Sequence, residues 1–266
     1  VRLEIDTSCE VLDGSVRPIS RTIARAAYHA QVSTDTVVDW TSFGAVLFDL
    51  DGVVTPTAAI HEKAWADLFA RWDFDADDYL TYVDGRPRYD GVKAFLDSRG
   101  VELPWGDPSD PPGDGTICAM GNRKDENFNA VLAREGIEPY AGTLKVLDVL
   151  DHAGVPSAIV SSSKNAGTVL RAAGIVGRFR AVVDGLVAVE HHLAGKPEPA
   201  MFTYAAQQLG VTPAQAVVVE DASSGVAAGR AGDFGLVVGV DRGGNREALM
   251  AAGASIVVDD LDETLQ

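Results

Sequence analysis

The chain's 266 residues, 46% hydrophobic and 23% charged, leave room for one large domain or a core domain with a smaller inserted one. With 22 basic against 39 acidic residues, a net charge of −17, a general surface for nucleic acid or anionic membrane is not expected. No apolar run reaches the roughly 18 residues of a membrane helix. Residues Val1–Asp6 show no signal-peptide centre, and Cys9 and Cys118 are too few for a disulfide framework or metal cluster. A cytoplasmic protein with incidental thiols is expected, with no nucleic-acid or membrane partner, as a monomer or weak dimer.

Residues 1–41 stand apart and hold one amphipathic helical stretch, Arg21–Tyr28, expected to be an extra packing element or arm. Ala45-Val46-Leu47-Phe48 is a continuous apolar run of the kind buried on both faces of a parallel sheet. The stretch from 58 to 139 breaks the pattern: it is helical in period, rich in aromatics, and carries a Pro/Gly loop over 105–115. It is expected to be a helical domain inserted after the first strand, with Trp65 and Trp72, seven apart, packing its interior. The acids Asp73, Asp75, Asp77 and Asp78 read as a solvated helix entry.

From 140 onward, apolar runs at 158–160, 181–183, 216–219, 236–238 and 255–258 alternate with helical stretches at 143–153, 165–173, 199–209, 224–231 and 244–252. This alternation defines an α/β fold, a Rossmann-like doubly wound parallel sheet. The core domain is assigned to 42–57 and 140–266, with 58–139 inserted. His191 and His192, adjacent in a polar loop, read as solvent-facing.

Four segments fall at the carboxyl ends of expected strands, the edge where open α/β sheets bind ligands. In Asp49-Leu50-Asp51-Gly52, residues two apart on an extended chain face one way. Two carboxylates can then share one site as nucleophile and proton carrier with a cation between them, or be plain loop acids. Ser161-Ser162-Ser163-Lys164-Asn165 offers hydroxyls and N–H groups to an anion, or a simple N-cap. In Gly195-Lys196-Pro197, the ammonium is aimed by its neighbours or merely exposed. Glu220-Asp221 ends a buried run, where acids need a partner or a metal; alternatively Asp221 and Ser223 cap the next helix.

These four segments, in this order, resemble the motifs of the haloacid dehalogenase-like hydrolase superfamily over about residues 43–260. Leu47–Val53, His61–Trp65, Asp84–Gly91 and Val160–Asn165 are most similar to its β-phosphoglucomutase branch. The resemblance implies Asp49 as phosphoryl acceptor, Asp51 as general acid/base, and Ser161 and Lys196 on the transferring group. It implies Mg²⁺ held by Asp49, Asp51 (through its carbonyl) and Asp221, with Glu220 adjacent. Further implied substrate contacts are His61, Trp65, Gly85, Arg88, Ser162, Ser163, Lys164 and Asn165, with the insertion as a closing cap and Arg88 gripping a distal phosphate. The expected substrate is a small phosphorylated sugar: β-glucose 1-phosphate converted to glucose 6-phosphate, with glucose 1,6-bisphosphate as intermediate and activator.

Three departures from that pattern stand out. Pro56 replaces a common acid, Asp84 stands where a lysine contacts substrate, and Ala200 replaces an aspartate at a helix start. Asp84 motivates the alternative of a sugar phosphatase; a non-catalytic module on the same fold is the remaining reading.

Overall fold

The computed structural model describes residues 36–83 and 86–266. The helix expected over 21–28, Cys9, Asp84 and Gly85 lie outside them. Six apolar runs form six strands: β1 (Ala45–Phe48), β2 (Ser157–Val160), β3 (Ala181–Val183), β4 (Ala216–Glu220), β5 (Leu236–Val240) and β6 (Ile256–Val258). They pair in parallel in the order β3-β2-β1-β4-β5-β6. The chain thus winds outward from β1 in one direction, then crosses to β4 and winds the other way. In such sheets the ligand crevice opens where the order reverses, beyond the carboxyl ends of β1 and β4.

Nine helices are named here: α1 (Thr57–Phe69), α2 (Arg88–Ser98), α3 (Ile117–Glu135), α4 (Ala141–Ala153), α5 (Ala166–Ala172), α6 (Gly185–Glu190), α7 (Ala200–Gln208), α8 (Ser223–Ala231) and α9 (Arg246–Ala252). Side chains alternate across a strand, so each half of β1 serves a different layer. Val46 and Phe48 pack with Val146, Leu147 and Leu150 of α4 and Leu170 of α5. Ala45 and Leu47 pack with Met201 and Phe202 of α7, Val226 of α8 and Leu249 of α9. Both faces are covered, which is why β1, β2 and β4 are buried at every position.

A third apolar cluster belongs to the segment between β1 and β2. Trp65, Leu68, Phe69, Val92, Phe95, Leu96, Ile117 and Met120 pack together, with Phe69 and Phe95 rings 4.1 Å apart. Two helices divide between clusters. Ile60 and Ala64 of α1 and Phe128, Val131 and Leu132 of α3 join the sheet's layer, while Trp65 and Phe69 of α1 and Ile117 and Met120 of α3 join the insertion's cluster. The residues at these crossovers stand over the end of the sheet.

Several local expectations are corrected. Asp78 is not solvated: it is 8% exposed and pairs with Arg99 at 2.5 Å, while Asp75 caps the turn Ala76–Asp78. Neither Asp221 nor Ser223 caps α8, whose N-cap is Ala222 with no side-chain bond. Helix α6 was not expected; Asp184 starts it by accepting the N–H groups of Leu186 and Val187 at 2.9 and 3.0 Å. His191 and His192 are exposed. Trp72 is half-buried against the insertion's cluster, and Cys118 is a buried free thiol. Helix α7 begins at Ala200 without a side-chain cap, as the missing aspartate implies. Among the described residues no helix is long and apolar enough to cross a membrane.

Candidate active site

Phe48 pairs with Val219 across β1 and β4, so the next residue of each strand leaves the sheet side by side. Asp49 donates its N–H to Val219 O at 2.9 Å and ends β1; Glu220 and Asp221 end β4. Carboxylate oxygens of Asp49, Glu220 and Asp221 come within 4.8 Å of one another. Gly52 has φ +80°, and a Cβ there would collide with the Asp221 carboxylate, so only glycine lets the two loops approach. Gly225 serves the same purpose under Glu220, whose side chain a Cβ would strike.

Lys196 reaches into this cluster from the loop before α7, with 7% of its side chain exposed. It donates to Asp49 Oδ1 and to Val160 O at 3.1 Å, and pairs with Glu220 Oε1 at 2.5 Å. Glu220 also turns its other oxygen back to accept the N–H groups of Asp221 and Ala222, both at 3.1 Å. That leaves Asp49 and Asp221 with the freer oxygens. Ser161 is fully buried beside β2, and its Oγ accepts the Ser163 N–H at 3.1 Å, leaving its own O–H to donate. Ser162 and Lys164 are exposed, and Ser163 and Asn165 half-buried, in the loop ahead of α5.

The electrostatics are those of carboxylates crowded together out of water. Loss of water raises Asp49 to about 6 despite the pull of Lys196. Burial, with repulsion from Lys196's other partner Asp49, lifts Glu220 to about 7, and burial beside Asp49, Glu220 and Asp51 lifts Asp221 to about 9. Burial alone would lower Lys196, but Asp49 and Glu220 outweigh it and hold the ammonium above the ordinary lysine range. Clustered carboxylates that hold protons against their ordinary values suit a hard divalent cation with oxygen ligands. Asp49 and Asp221 fit that ion; Glu220, tied to Lys196, lies beside it.

Asp51 turns away from this cluster. It accepts from Thr57 Oγ1, and its Oδ1 lies 4.0 Å from His61 Nε2. Loss of water raises its carboxyl above the ordinary range, although 34% of the side chain still meets solvent. His61, at the crossover of α1, stacks on Phe128 at 4.3 Å and receives Lys124 Nζ at 2.6 Å on Nδ1. Burial, then the Lys124 charge, lowers His61 to about 3, so it is a neutral imidazole. An ammonium only donates, so Nδ1 accepts and the ring proton sits on Nε2, the nitrogen nearest Asp51. Burial lowers Lys124 itself to about 8.

Lys124 carries no motif and was missed in the sequence. It is 5% exposed, with Trp65 and Phe128 rings 5.1 and 5.3 Å from its Nζ. Trp65, expected at the substrate, is 4% exposed and stacked on Phe69 at 5.4 Å, which assigns it to packing. Arg88 opens α2, its Nη1 3.0 Å from Asp125 Oδ1. Asn165 Nδ2 donates to that same Oδ1 at 2.7 Å. Behind the acids, Arg242 Nε donates to Gly52 O at 2.8 Å and Asn245 Nδ2 to Asp221 O at 2.9 Å, so the loop after β5 braces both acidic loops.

This fold and this strand-end cluster define a phosphoryl-transfer enzyme of the haloacid dehalogenase-like hydrolase family, to which the chain belongs: the family's pattern matches residues 43–233. Within that family the chain is 45% identical over 238 residues to a β-phosphoglucomutase of Mycobacterium bovis, covering 83% of this chain and 91% of that protein. It is 30% identical over 191 residues to hexitol phosphatase A of Escherichia coli, covering 70% of this chain and 77% of that protein. The crystal structure of a β-phosphoglucomutase from Clostridium difficile matches with a TM-score of 0.68 at 26% identity, over 83% of this chain and 92% of that one.

Proposed function

We propose that the chain is a Mg²⁺-dependent β-phosphoglucomutase that works through an aspartyl-phosphate on Asp49. The observation that carries the mutase reading is a second cationic grip: Arg88, from the insertion, in addition to Lys196 at the sheet end. A phosphatase needs to hold one phosphoryl group, whereas a mutase must hold a sugar bisphosphate at both ends. The similarity to the Mycobacterium bovis mutase along most of both chains supports the same reading.

Asp49 would attack phosphorus and take the phosphoryl group while Asp51 gives its proton to the departing sugar oxygen. Loss of water raises its carboxyl above the ordinary range, which favours the proton-bearing form that this step needs. In the return step Asp51 removes the proton from the free hydroxyl of a sugar monophosphate as that oxygen takes the phosphoryl group from Asp49, which forms the bisphosphate. Lys196 and Ser161 place donors on the equatorial oxygens, where charge spreads during transfer. Asp49, Asp221 and the Asp51 carbonyl would hold Mg²⁺ beside Glu220, and the ion would supply positive charge to the transferring group. The insertion, 58–139, serves as a cap over the core, 42–57 and 140–266, and closure dries the site. Ser162, Ser163, Lys164 and Asn165 with Arg88 and Gly85 hold the distal phosphate, and a cytoplasmic setting supplies phosphorylated glucose.

The test is incubation with β-glucose 1-phosphate, Mg²⁺ and a trace of glucose 1,6-bisphosphate, with glucose 6-phosphate and free phosphate measured together. Glucose 6-phosphate in excess of phosphate is expected. Phosphate without glucose 6-phosphate would transfer the assignment to a sugar phosphatase, which Asp84 and the likeness to hexitol phosphatase A favour.

A further inference from the structure

Helix α3 sends consecutive side chains to two different sets of partners. Lys124 meets His61, while Asp125 meets Arg88 and Asn165. Successive helical residues diverge by about 100°, so one helix can serve both sets. The same two residues lie between Met120, packed in the insertion, and Phe128, packed in the sheet's layer. A carboxylate here is costly on its face, because it sets a negative charge beside an intended phosphate grip. Yet its Oδ1 alone joins three segments: Arg88 from the start of α2, Asp125 from α3, and Asn165 from the loop after β2.

Arg88 has five N–H donors in a planar fork. Its only ion pair among the described residues is through Nη1 to Asp125, so the other donors remain for an anion. Asn165 donates one side-chain amide hydrogen to Asp125, and its backbone N–H donates to Ser163 Oγ at 3.1 Å. Both side chains are flexible when unheld, and ordering them at the moment of binding weakens affinity.

We infer that Asp125 is a positioning residue: it orients Arg88 against Asn165 and so makes the distal-phosphate grip form together with closure of the insertion on the sheet. The inference rests on the proposed function for the identity of the ligand. It predicts that the acceptor oxygen, rather than the charge, is what matters, because the oxygen is what the two donors share.

The full chain and its Asp125→Ala, Asp125→Asn and Asn165→Ala variants are titrated calorimetrically with glucose 6-phosphate in Mg²⁺. In parallel, acetyl phosphate is used to label Asp49, since a donor with one phosphoryl group needs no distal grip. Asp125→Ala should weaken glucose 6-phosphate binding about tenfold and Asp125→Asn, which keeps an acceptor oxygen, by no more than about threefold. Asn165→Ala should also weaken binding, and the losses in Asp125→Ala/Asn165→Ala together should be less than additive, because each variant already removes the contact that the two residues share. Labelling of the Asp125 variants by acetyl phosphate should proceed as in the unmodified chain.

Unchanged affinity in Asp125→Ala, equal loss in Asp125→Asn, or additive losses in the double variant would overturn the positioning role. If acetyl phosphate fails to label the unmodified chain while Asp125→Ala still weakens glucose 6-phosphate binding, the Asp49 reading falls and the role of Asp125 stands.

Discussion

The end of the sheet and the helical insertion place their polar side chains by opposite means. At the sheet, the acids and the serine sit at or just beyond the end of a buried strand: Asp49 after β1, Ser161 after β2, Glu220 as the last residue of β4 and Asp221 after it. Parallel strands in register bring those residues together, and the chemistry is written in short local motifs. In the insertion, His61, Arg88, Lys124 and Asp125 come from three helices and meet only because α1 and α3 pass from one apolar cluster to the other. The sheet supplies reactive groups with little freedom. The insertion supplies groups whose positions depend on packing. The consequences of substitution should divide along the same line.

The largest effect is expected at Lys196. Lys196→Ala leaves Asp49 and Glu220 buried without their cation, so turnover should fall by about 10²–10³ and stability by about 3–5 kcal/mol. Steady-state rates and thermal melts measure the two losses. A variant that keeps its stability would show that the sheet-end cluster does not depend on this ion pair.

Lys124→Met should lower kcat about tenfold to a hundredfold by removing the donor that fixes the His61 tautomer. Because the Lys124 charge is one of the causes lowering His61, the imidazole should titrate above its present value of about 3 in the variant, which NMR can follow. An unmoved His61 resonance would separate the two residues.

Arg88→Ala should raise KM for sugar phosphates about tenfold with little change in Asp49 labelling by acetyl phosphate. Equal loss in both assays would place Arg88 at the reacting centre and blur the division between the two regions.

The smallest effect is expected in the pH dependence of stability without metal. Glu220 and Asp221 are raised to about 7 and about 9, so the folded chain holds protons that the unfolded chain has released. Their stabilisation is therefore complete at acid pH and is lost as pH climbs through those values. Between pH 7 and 7.5, above the midpoint of unfolded His61 and below the value of about 8 at which folded Lys124 titrates, melting temperature in EDTA should decline. Saturating Mg²⁺ should remove most of the decline by holding the carboxylates ionised. A melting temperature that rises over this window in EDTA would contradict the clustered acids.

Much of the sheet end was legible before folding. Asp49 and Asp51 are marked by a strand that runs straight into them, and their i, i+2 spacing suggests a shared role. The structure refines this, since Asp51 turns toward Thr57 and His61 while Asp49 faces Lys196. All six strands were marked by continuous apolar runs. Helix α6 was not, because its only strong signal is the single cap Asp184 on a six-residue segment.

Lys124 and Asp125 illustrate what composition hides. Arg123-Lys124-Asp125-Glu126 reads as the solvated face of a helix. Lys124 is nevertheless 5% exposed, because Trp65 and Phe128 close around its stem and His61 receives its head. That burial belongs to the packing of α3 against α1, and no local pattern encodes it. Trp65 packs the insertion's interior, as its spacing from Trp72 implies. The absent lysine at 84 therefore does not leave the insertion without one. Lys124 reaches His61 from another helix, which weakens the argument for a phosphatase drawn from Asp84.

The central claim is that Asp49 accepts the phosphoryl group. The most direct test is to incubate the chain with glucose 1,6-bisphosphate and Mg²⁺, quench in acid, and map the phosphorylated peptide. One phosphoryl group is predicted on Asp49, absent from Asp49→Asn. Label on another residue, or undiminished label in Asp49→Asn, would contradict the account.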